Sequence, residues 1–488
     1  MNLTSALRTA TSSLASHSQQ ISTISRNISG VGDPNYVRRD TEVRTALYAS
    51  TTVDTTRYVN QSVYSASITA NSNAARAGAL AVGVDRIATL QQVQSFAFSP
   101  ARLLENLKQA TEFAAAAPSD AGILTSLVEQ ARTVSNALNA SYDELLNQRA
   151  QADKEIVSSV ETINTLLSQI NDVNEQIVDG TRAGREVFDD LDTRDRLVRE
   201  LSEEIGINII PDNDNGIILT TKSGALLFDD RPRDVTFQGT PAFGPSSVGG
   251  ELRVDGVIVS GPNSPLPIQS GRIAGNLQLR DEVYVEQQNQ LDEIARGLVE
   301  LYSETDQTGG GKPPLAGLFT WGGGPAVPAT ATLEPGIAAT IRVNPLIDPQ
   351  VGGDPAFLRD GAANGDPDYT YNISGGAGFS DRLFAIANGF DQPLTFDPAA
   401  GLPANQSING FAASTLNSLN AFRAAALDDN DYQTELSQQF SQALQSETGV
   451  NLDFEMSRLL EVERAYQATA RLLRTVDEML ETLLAAAG

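Results

Sequence analysis

The sequence predicts a mainly α-helical protein with β insertions. Three observations carry that expectation: one apolar stripe at heptad spacing at each end of the chain, a long proline-free helical stretch between them, and two intervening segments dense in turn residues. The expected architecture is a pair of terminal helices joined as a coiled coil, an elongated antiparallel helical bundle, and an outer β- or loop-rich domain or domains.

At the N-terminus, Leu3, Leu7, Ala10, Leu14, His17, Ile21, Ile24 and Ile28 alternate steps of four and three. That is a heptad seam with one polar position, occupied by the chain's single histidine. Ser, Thr, Gln and Asn fill most of the other positions, and Gly30, Gly32 and Pro34 stop the helix. The C-terminus repeats the pattern through Leu452, Met456, Leu459, Tyr466, Leu473 and Leu480. Glu463 and Asp477 fall on the same register, with Val462 and Val476 beside them supplying apolar character. A helix with one narrow stripe is marginal alone, so the two ends are expected to pair and to complete their burial against neighbouring subunits.

In the body, residues 123–178 are helical in pattern without a proline, stepping through Ile156, Val160, Ile163, Leu167, Ile170 and Ile177. Unbroken, such a helix is about 85 Å long; Asn139 and Ala150 are candidate breaks. Helical partners for it are expected near 69–115, 281–302 and 407–446, the last with a candidate break at Asp428. Short β-like runs at 207–210, 217–221, 225–228, 235–237 and 252–259 are separated by turn clusters. Residues 306–405 are rich in Gly and Pro and hold the single Trp321. The expected organisation is 1–32 with 450–488 as the terminal coiled-coil domain and 33–66 as a connecting loop. Residues 67–205, 271–305 and 406–449 are expected to form the elongated helical bundle, 206–270 a β-rich outer domain, and 306–405 a Gly/Pro-rich β/loop insertion.

Composition removes several function classes. The chain has 488 residues with 34 Lys+Arg against 61 Asp+Glu, a formal charge of −27. Such a surface repels phosphate, which argues against nucleic-acid binding. The absence of cysteine removes disulfides, thiolate metal sites and thiol nucleophiles. No apolar run is long enough to span a bilayer, so no membrane insertion is expected. Nor does the start of the chain read as a cleavable signal.

Candidate chemistry is sparse. Asp212-Asn213-Asp214-Asn215-Gly216 superficially matches a calcium loop, but its third ligand position is glycine and Ser223 stands where the glutamate belongs; a hairpin turn is the expectation. Gly309-Gly310-Gly311-Lys312 lacks the Ser/Thr of a phosphate loop, Pro313 standing in its place. Asp189, Asp190, Asp192 and Asp195 lie beside Arg194 and Arg196, which reads as a structural ion-pair network before it reads as an acid/base pair. His17 alone cannot build a two-histidine metal site. Neither catalytic residue, metal nor cofactor is expected, and no enzyme activity.

Two groups of motifs then resemble a known family. Asn27-Ile28-Ser29 followed by Pro34-Asn35-Tyr36-Val37-Arg38 resembles the Asn-Ile-Ser…Thr-Pro-Gly-Tyr-x-Arg-Gln signature of bacterial flagellar axial proteins, with Asp33, Asn35 and Arg39 departing from it. Asn35 is expected to keep the turn because asparagine tolerates the left-handed conformation. The stretch from Gly449 to Leu484 resembles the C-terminal helix of the same proteins. In the middle, Asp190–Ser202 and Gly271–Asp281 are similar to elements of the flagellar hook-associated protein 1 family.

That resemblance implies a structural subunit at the junction between hook and filament, located outside the cell. It also implies export, unfolded, through the flagellar type III apparatus, with a cytosolic chaperone on the C-terminal region. The partners implied are other copies of the chain in a ring-like homo-oligomer, the hook protein and hook-associated protein 3. Leu3, Leu7, Ala10, Leu14, Ile21, Ile24 and Ile28 with Leu452, Met456, Leu459, Tyr466, Leu473 and Leu480 would form the assembly interface, and Asn27, Pro34, Tyr36 and Arg38 the turn that joins layers. Competing readings are another axial protein, such as a hook subunit or hook-associated protein 3, and a secreted adhesin or translocator.

Overall fold

The computed structural model describes residues 3–45, 51–93 and 100–487. In chain order the helices are α1 (Leu3–Ser29), α2 (Gln61–Val93), α3 (Pro100–Ala116), α4 (Ala121–Arg182), α5 (Phe188–Glu204), α6 (Arg272–Gln278), α7 (Tyr284–Leu301), α8 (Ile337–Thr340), α9 (Phe357–Asp360), α10 (Asp381–Gly389), α11 (Ile408–Thr448) and α12 (Leu452–Ala487). The protein is mainly helical, its terminal helices packed on each other, with small β-sheets. Two compact units can be distinguished: residues 3–74, 163–233 and 433–487 form the first, and 75–162 with 234–432 the second.

In the first unit, α1 packs along α12. The span 33–66, expected as a connecting loop, instead holds a hairpin of β1 (Arg39–Thr45) and β2 (Thr51–Arg57) and then opens α2. Its strands are rich in Thr and Val at alternate positions, which favours a pleated surface, and they pair from Arg39↔Arg57 to Thr45↔Thr51. Residues 46–50 lie outside the described set. A three-stranded sheet follows α5: β3 (Ile207–Pro211), β4 (Ile217–Thr221) and β5 (Leu226–Phe228). Between β3 and β4, Asp214 and Asn215 adopt positive φ (54° and 63°) and Arg182 bonds Asp214 at 2.8 Å. The Asp212–Gly216 cluster is therefore the hairpin turn its spacing suggests.

Helix α4, of which residues 121–162 belong to the second unit, carries its pattern through Ala121–Arg182 with no break at Asn139 or Ala150. Asn139 instead donates its side-chain amide to the carbonyl of Ala338 at 2.6 Å. Likewise α11 runs through Asp428, whereas the expected helix near 69–115 is two helices, α2 and α3, with 94–99 outside the described set. The run 252–259 is two strands, not one. Here β6 (Val235–Phe237), β7 (Leu252–Val254) and β8 (Val257–Ile258) form a sheet, and Asp255 and Gly256 (φ 48° and 80°) make the tight turn.

Residues 306–405 do not keep a core of their own. Strands β9 (Phe319–Thr320) and β10 (Arg342–Val343) pair, as do β11 (Leu394–Thr395) and β12 (Asn405–Gln406). Leu318, Phe319, Ile337, Leu358, Leu383 and Phe396 are buried in one cluster with Leu104, Leu127, Leu138 and Leu298 of the helices. Each such side chain contributes about 1.5–3 kcal/mol on burial, so the segment is anchored by the core it shares with the helices. Tyr302 sits edge-on to Phe319 (5.3 Å) and Phe390 (6.1 Å) and shares a 2.6 Å hydrogen bond with Thr111.

A buried carboxylate ties this segment to α7. Asp292 accepts hydrogen bonds from the backbone N–H groups of Gly336 and Ala338, both at 2.9 Å. Burial pushes its pKa up to about 7 against those two donors, with Glu293 adding repulsion. The folded chain thus binds this proton more tightly than the unfolded chain. The resulting stability is fully present below the ordinary carboxyl pKa of 3.8 and is lost as pH rises through about 7. We expect the melting temperature of the native chain to fall more steeply between pH 5 and pH 8 than that of Asp292→Asn; parallel profiles would contradict this.

Candidate functional site

The site is the terminal helix pair together with the joint that ties it to the rest of the first unit. On α1, Ala10 and Ile24 are buried, while Leu7, Leu14, Ile21 and Ile28 are half-buried; the side chain of Leu3 lies outside the described residues. His17 is half-buried and shares a 3.3 Å contact with Gln20. On α12, Leu459, Tyr466, Leu473 and Leu480 are half-buried, and Val462 is buried.

Leu452 and Met456 differ from the other stripe residues: they remain 45% and 44% exposed. The face turned inward runs through Glu455, Leu459, Val462, Tyr466, Thr469, Leu473, Val476 and Leu480, so the register near the start of α12 is set by its neighbours. Two apolar rows compete for burial on this helix, and α1 covers one. Phe454, Leu460, Leu472, Met479 and Leu483 stay more than half exposed.

The joint begins where α1 ends. Gly30 must be glycine, because a Cβ there would lie 2.5 Å from the Tyr36 ring. The left-handed position of the turn is Gly32 (φ 86°), and Asn35 does not adopt positive φ. Asn35 works by hydrogen bonding instead: its N–H donates to the Asp33 carboxylate at 2.9 Å and its side-chain oxygen accepts from Arg199 at 2.8 Å. Pro34 is exposed at the turn.

Asn27 is the hub. Only 1% exposed, it donates Nδ2–H to the Arg39 carbonyl at 2.8 Å. Its Oδ1 accepts from the Arg39 N–H at 3.0 Å and from the Tyr36 hydroxyl at 2.9 Å. One amide thus satisfies two buried backbone groups and a half-buried hydroxyl of the returning chain, which explains the side chain required at this position. Burial raises the Tyr36 pKa, opposed by nearby Arg39, so the hydroxyl keeps its proton for that bond.

Two neighbouring arginines then point different ways. Arg38 donates its backbone N–H to the Thr448 carbonyl (2.7 Å), bonds the fully buried Glu455 at 2.6 Å, and lies 4.9 Å over the Phe454 ring. Arg39, 1% exposed, bonds Asp189 and lies 3.4 Å from Asp192, over the rings of Tyr36 and Phe188. From β2, Arg57 bonds Asp192 at 2.8 Å and Asp195 at 2.5 Å. Arg458 of α12 reaches Asp40 at 2.5 Å.

The acidic cluster on α5 is therefore an ion-pair network, but its partners are Arg39 and Arg57, not the adjacent Arg194 and Arg196. Arg196 pairs with Glu200 at 2.7 Å, and Arg194 bonds Asn174 and the Asn215 carbonyl. Local spacing could not reveal partners so far away along the chain. The register Arg39↔Arg57 is the signal that would have, once the hairpin is recognised. Burial pushes the Asp192 pKa up, against the pull of Arg57 and Arg39.

Sequence reasoning also left Arg280 without a role. It sits in a π-helical turn (Leu279–Val283) between α6 and α7, 1% exposed, and bonds Asp153 and Asp281, each at 2.7 Å, and the Gly250 carbonyl at 3.0 Å. The candidate phosphate loop ends on Lys312, whose ammonium is held by Asp366 and Asp368 at 2.7 and 2.6 Å.

Residues 99–312 match the profile of the flagellar hook-associated protein FlgK helical domain. Residues 441–486 match that of the flagellar basal body rod FlgEFG protein C-terminal. The chain is 24% identical over 386 residues to flagellar hook-associated protein 1 of Bacillus subtilis (strain 168), covering 74% of this chain and 71% of that one. Against flagellar hook-associated protein 1 of Escherichia coli (strain K12) it is 22% identical, covering 99% of this chain and all of that one. The flagellar hook junction protein FlgK from Burkholderia pseudomallei has a similar fold, with a TM-score of 0.60 at 14% identity over 78% of this chain and all of that one.

Proposed function

The chain belongs to the flagellar hook-associated protein 1 family, and on that premise we propose that it builds the hook–filament junction through its terminal helix pair. It is a structural protein of the bacterial flagellum. In the proposed arrangement, α1 and α12 line an inner tube with the same helices of adjacent copies, forming a ring-like homo-oligomer. The hook protein adjoins it on one side and hook-associated protein 3 on the other. Delivery is through the flagellar type III export apparatus in an unfolded state, with a cytosolic chaperone covering the C-terminal region beforehand. Its role is mechanical and not catalytic; the carboxylates of α5 are held by Arg39 and Arg57.

The observation that carries this reading is the apolar surface that α12 leaves exposed on both flanks of its α1-facing row. Leu452, Phe454, Met456, Leu460, Leu472, Met479 and Leu483 are each at least 44% exposed on a helix already packed against α1. A set of that size on one helix is what a subunit interface requires. Leu472→Asp with Leu483→Asp changes only exposed positions. We expect this variant to melt like the native chain, yet to give cells with hooks and no filaments by electron microscopy. Motile cells with intact filaments would refute it. Leu14→Asp or Leu473→Asp, at half-buried stripe positions, is expected to abolish assembly and also to loosen the pair itself.

A further inference from the structure

The first unit uses its arginines in two ways. Arg26, Arg38, Arg39 and Arg57 are each bonded to a carboxylate. On α12, by contrast, Arg464 and Arg474 are exposed, and among the described residues neither has a bonded partner. The helix packed beside them cannot supply one, because α1 carries no aspartate or glutamate. Glu461, three residues before Arg464, and Asp477, three residues after Arg474, are exposed and likewise without a bonded partner.

These four charges divide between the two sides of the row through Leu459, Val462, Tyr466 and Leu473 that α12 turns toward α1. With about 3.6 residues per turn, Glu461 lies on one flank, with Arg464 farther out, and Asp477 on the other, with Arg474 farther out. Arg471 and Glu478 stand between the flanks, farthest from α1. Along the chain the first flank reads negative then positive, and the second positive then negative. Glu461 precedes Arg474 by 13 residues, and Arg464 precedes Asp477 by the same 13. Parallel copies displaced by that length of helix, about 20 Å, therefore bring both opposite-charge pairs together at once. Glu481, one turn beyond Asp477 on the second flank, adds to the attraction for Arg464. At equal height the match is lost: Glu461 meets Glu463, which is exposed on the second flank, and like charges repel. A contact between two different flanks is head-to-tail, each copy offering one flank to each neighbour.

We propose that the α12 helices of adjacent copies pack in parallel, displaced by about 20 Å, with Glu461 and Arg464 of one copy paired to Arg474 and Asp477 of the next. The inference rests on the assembly role proposed above and specifies its lateral contact. Because the copies are displaced, the ring-like layer climbs as it goes round instead of closing flat.

Charge exchange in the full-length chain, expressed in flagellated cells in place of the native one, tests the pairing. Arg464→Glu sets like charge against Asp477 at an exposed position. It is expected to melt like the native chain, yet to be recovered about tenfold less in isolated hook–filament structures. Adding Asp477→Arg restores opposite charge across the contact and is expected to bring recovery back to within about twofold of native. Arg464→Glu at native recovery overturns the contact. A loss that Asp477→Arg does not restore also overturns it, and places Arg464 against some other partner. Either result leaves the assembly role standing if Leu472→Asp with Leu483→Asp still abolishes filaments; if those filaments also remain intact, both readings fall.

Discussion

Replacing Asn27 with alanine is expected to destabilise the first unit by about 3–5 kcal/mol, because two buried backbone groups and a half-buried hydroxyl lose their bonds in one step. The Arg39 N–H, the Arg39 carbonyl and the Tyr36 hydroxyl would each be left without the amide that satisfies them. Little else could replace it, since the site is 1% exposed and water has poor access. Calorimetry of the purified chain should show the transition of the first unit moved down by many degrees, with the second unit unmoved. Asn27→Asp separates the contributions. Its carboxylate still accepts from the Arg39 N–H and the Tyr36 hydroxyl but faces the Arg39 carbonyl without a donor, so an intermediate loss is expected. A loss below about 1 kcal/mol for Asn27→Ala would mean the turn is held by Gly30, Asn35 and Arg38 alone.

Arg280→Met is the second large effect, and it falls on the other unit. Arg280 holds Asp153, whose side chain is 5% exposed, and it packs 5.4 Å from the Phe237 ring. Methionine keeps much of the volume but leaves Asp153 with only the Thr240 N–H at 2.7 Å and that residue's hydroxyl at 3.5 Å. Breaking one side of a buried pair typically costs about 3–5 kcal/mol, chiefly through the stranded charge. Adding Asp153→Asn should therefore recover a large part of the loss. If the double variant melts no higher than Arg280→Met, the arginine acts through its bond to Gly250 and its packing, and not through Asp153. Gly249 is an independent check: a Cβ there would lie 2.3 Å from the guanidinium, so Gly249→Ala should displace Arg280 and mimic its loss.

The sequence made some of this legible. Stripe spacing alone located α1 and α12, because a 4/3 alternation sustained over several turns is the period of a helix that buries one face. The same logic traced α4 across a span in which Asn139 and Ala150 looked like breaks. Asn139 has no tertiary partner visible in a sequence, yet its bond to Ala338 gives a polar residue a place inside the helix. Periodicity failed where two apolar rows share a helix: Leu452 and Met456 are as regular as Leu459 and Val462, and only the position of α1 decides between them. The joint was legible as a motif, but not its mechanics. That Asn27 grips Arg39 and Tyr36, while Asn35 works through Arg199, depends on atoms brought together by chain reversal. The 306–405 segment was least legible. Its buried residues are scattered singly among glycines and prolines, and they match the helices' core in space but in no sequence period.

The first unit also imposes an order of events. It is drawn from both ends and the middle of the chain, and the contact between Arg38 and Glu455 closes a loop of 417 residues. For a flexible chain, closing a loop of that length costs about 5 kcal/mol of entropy. All residues of the second unit precede α12, so a chain that becomes available from its N-terminus can collapse that unit first and shorten the loop before the ends meet. Until the 36 residues of α12 are free, α1 is a helix with no partner for its stripe. The slow phase of refolding should therefore belong to docking of α12 and should report on Arg38–Glu455, not on the core around Leu127 and Leu298.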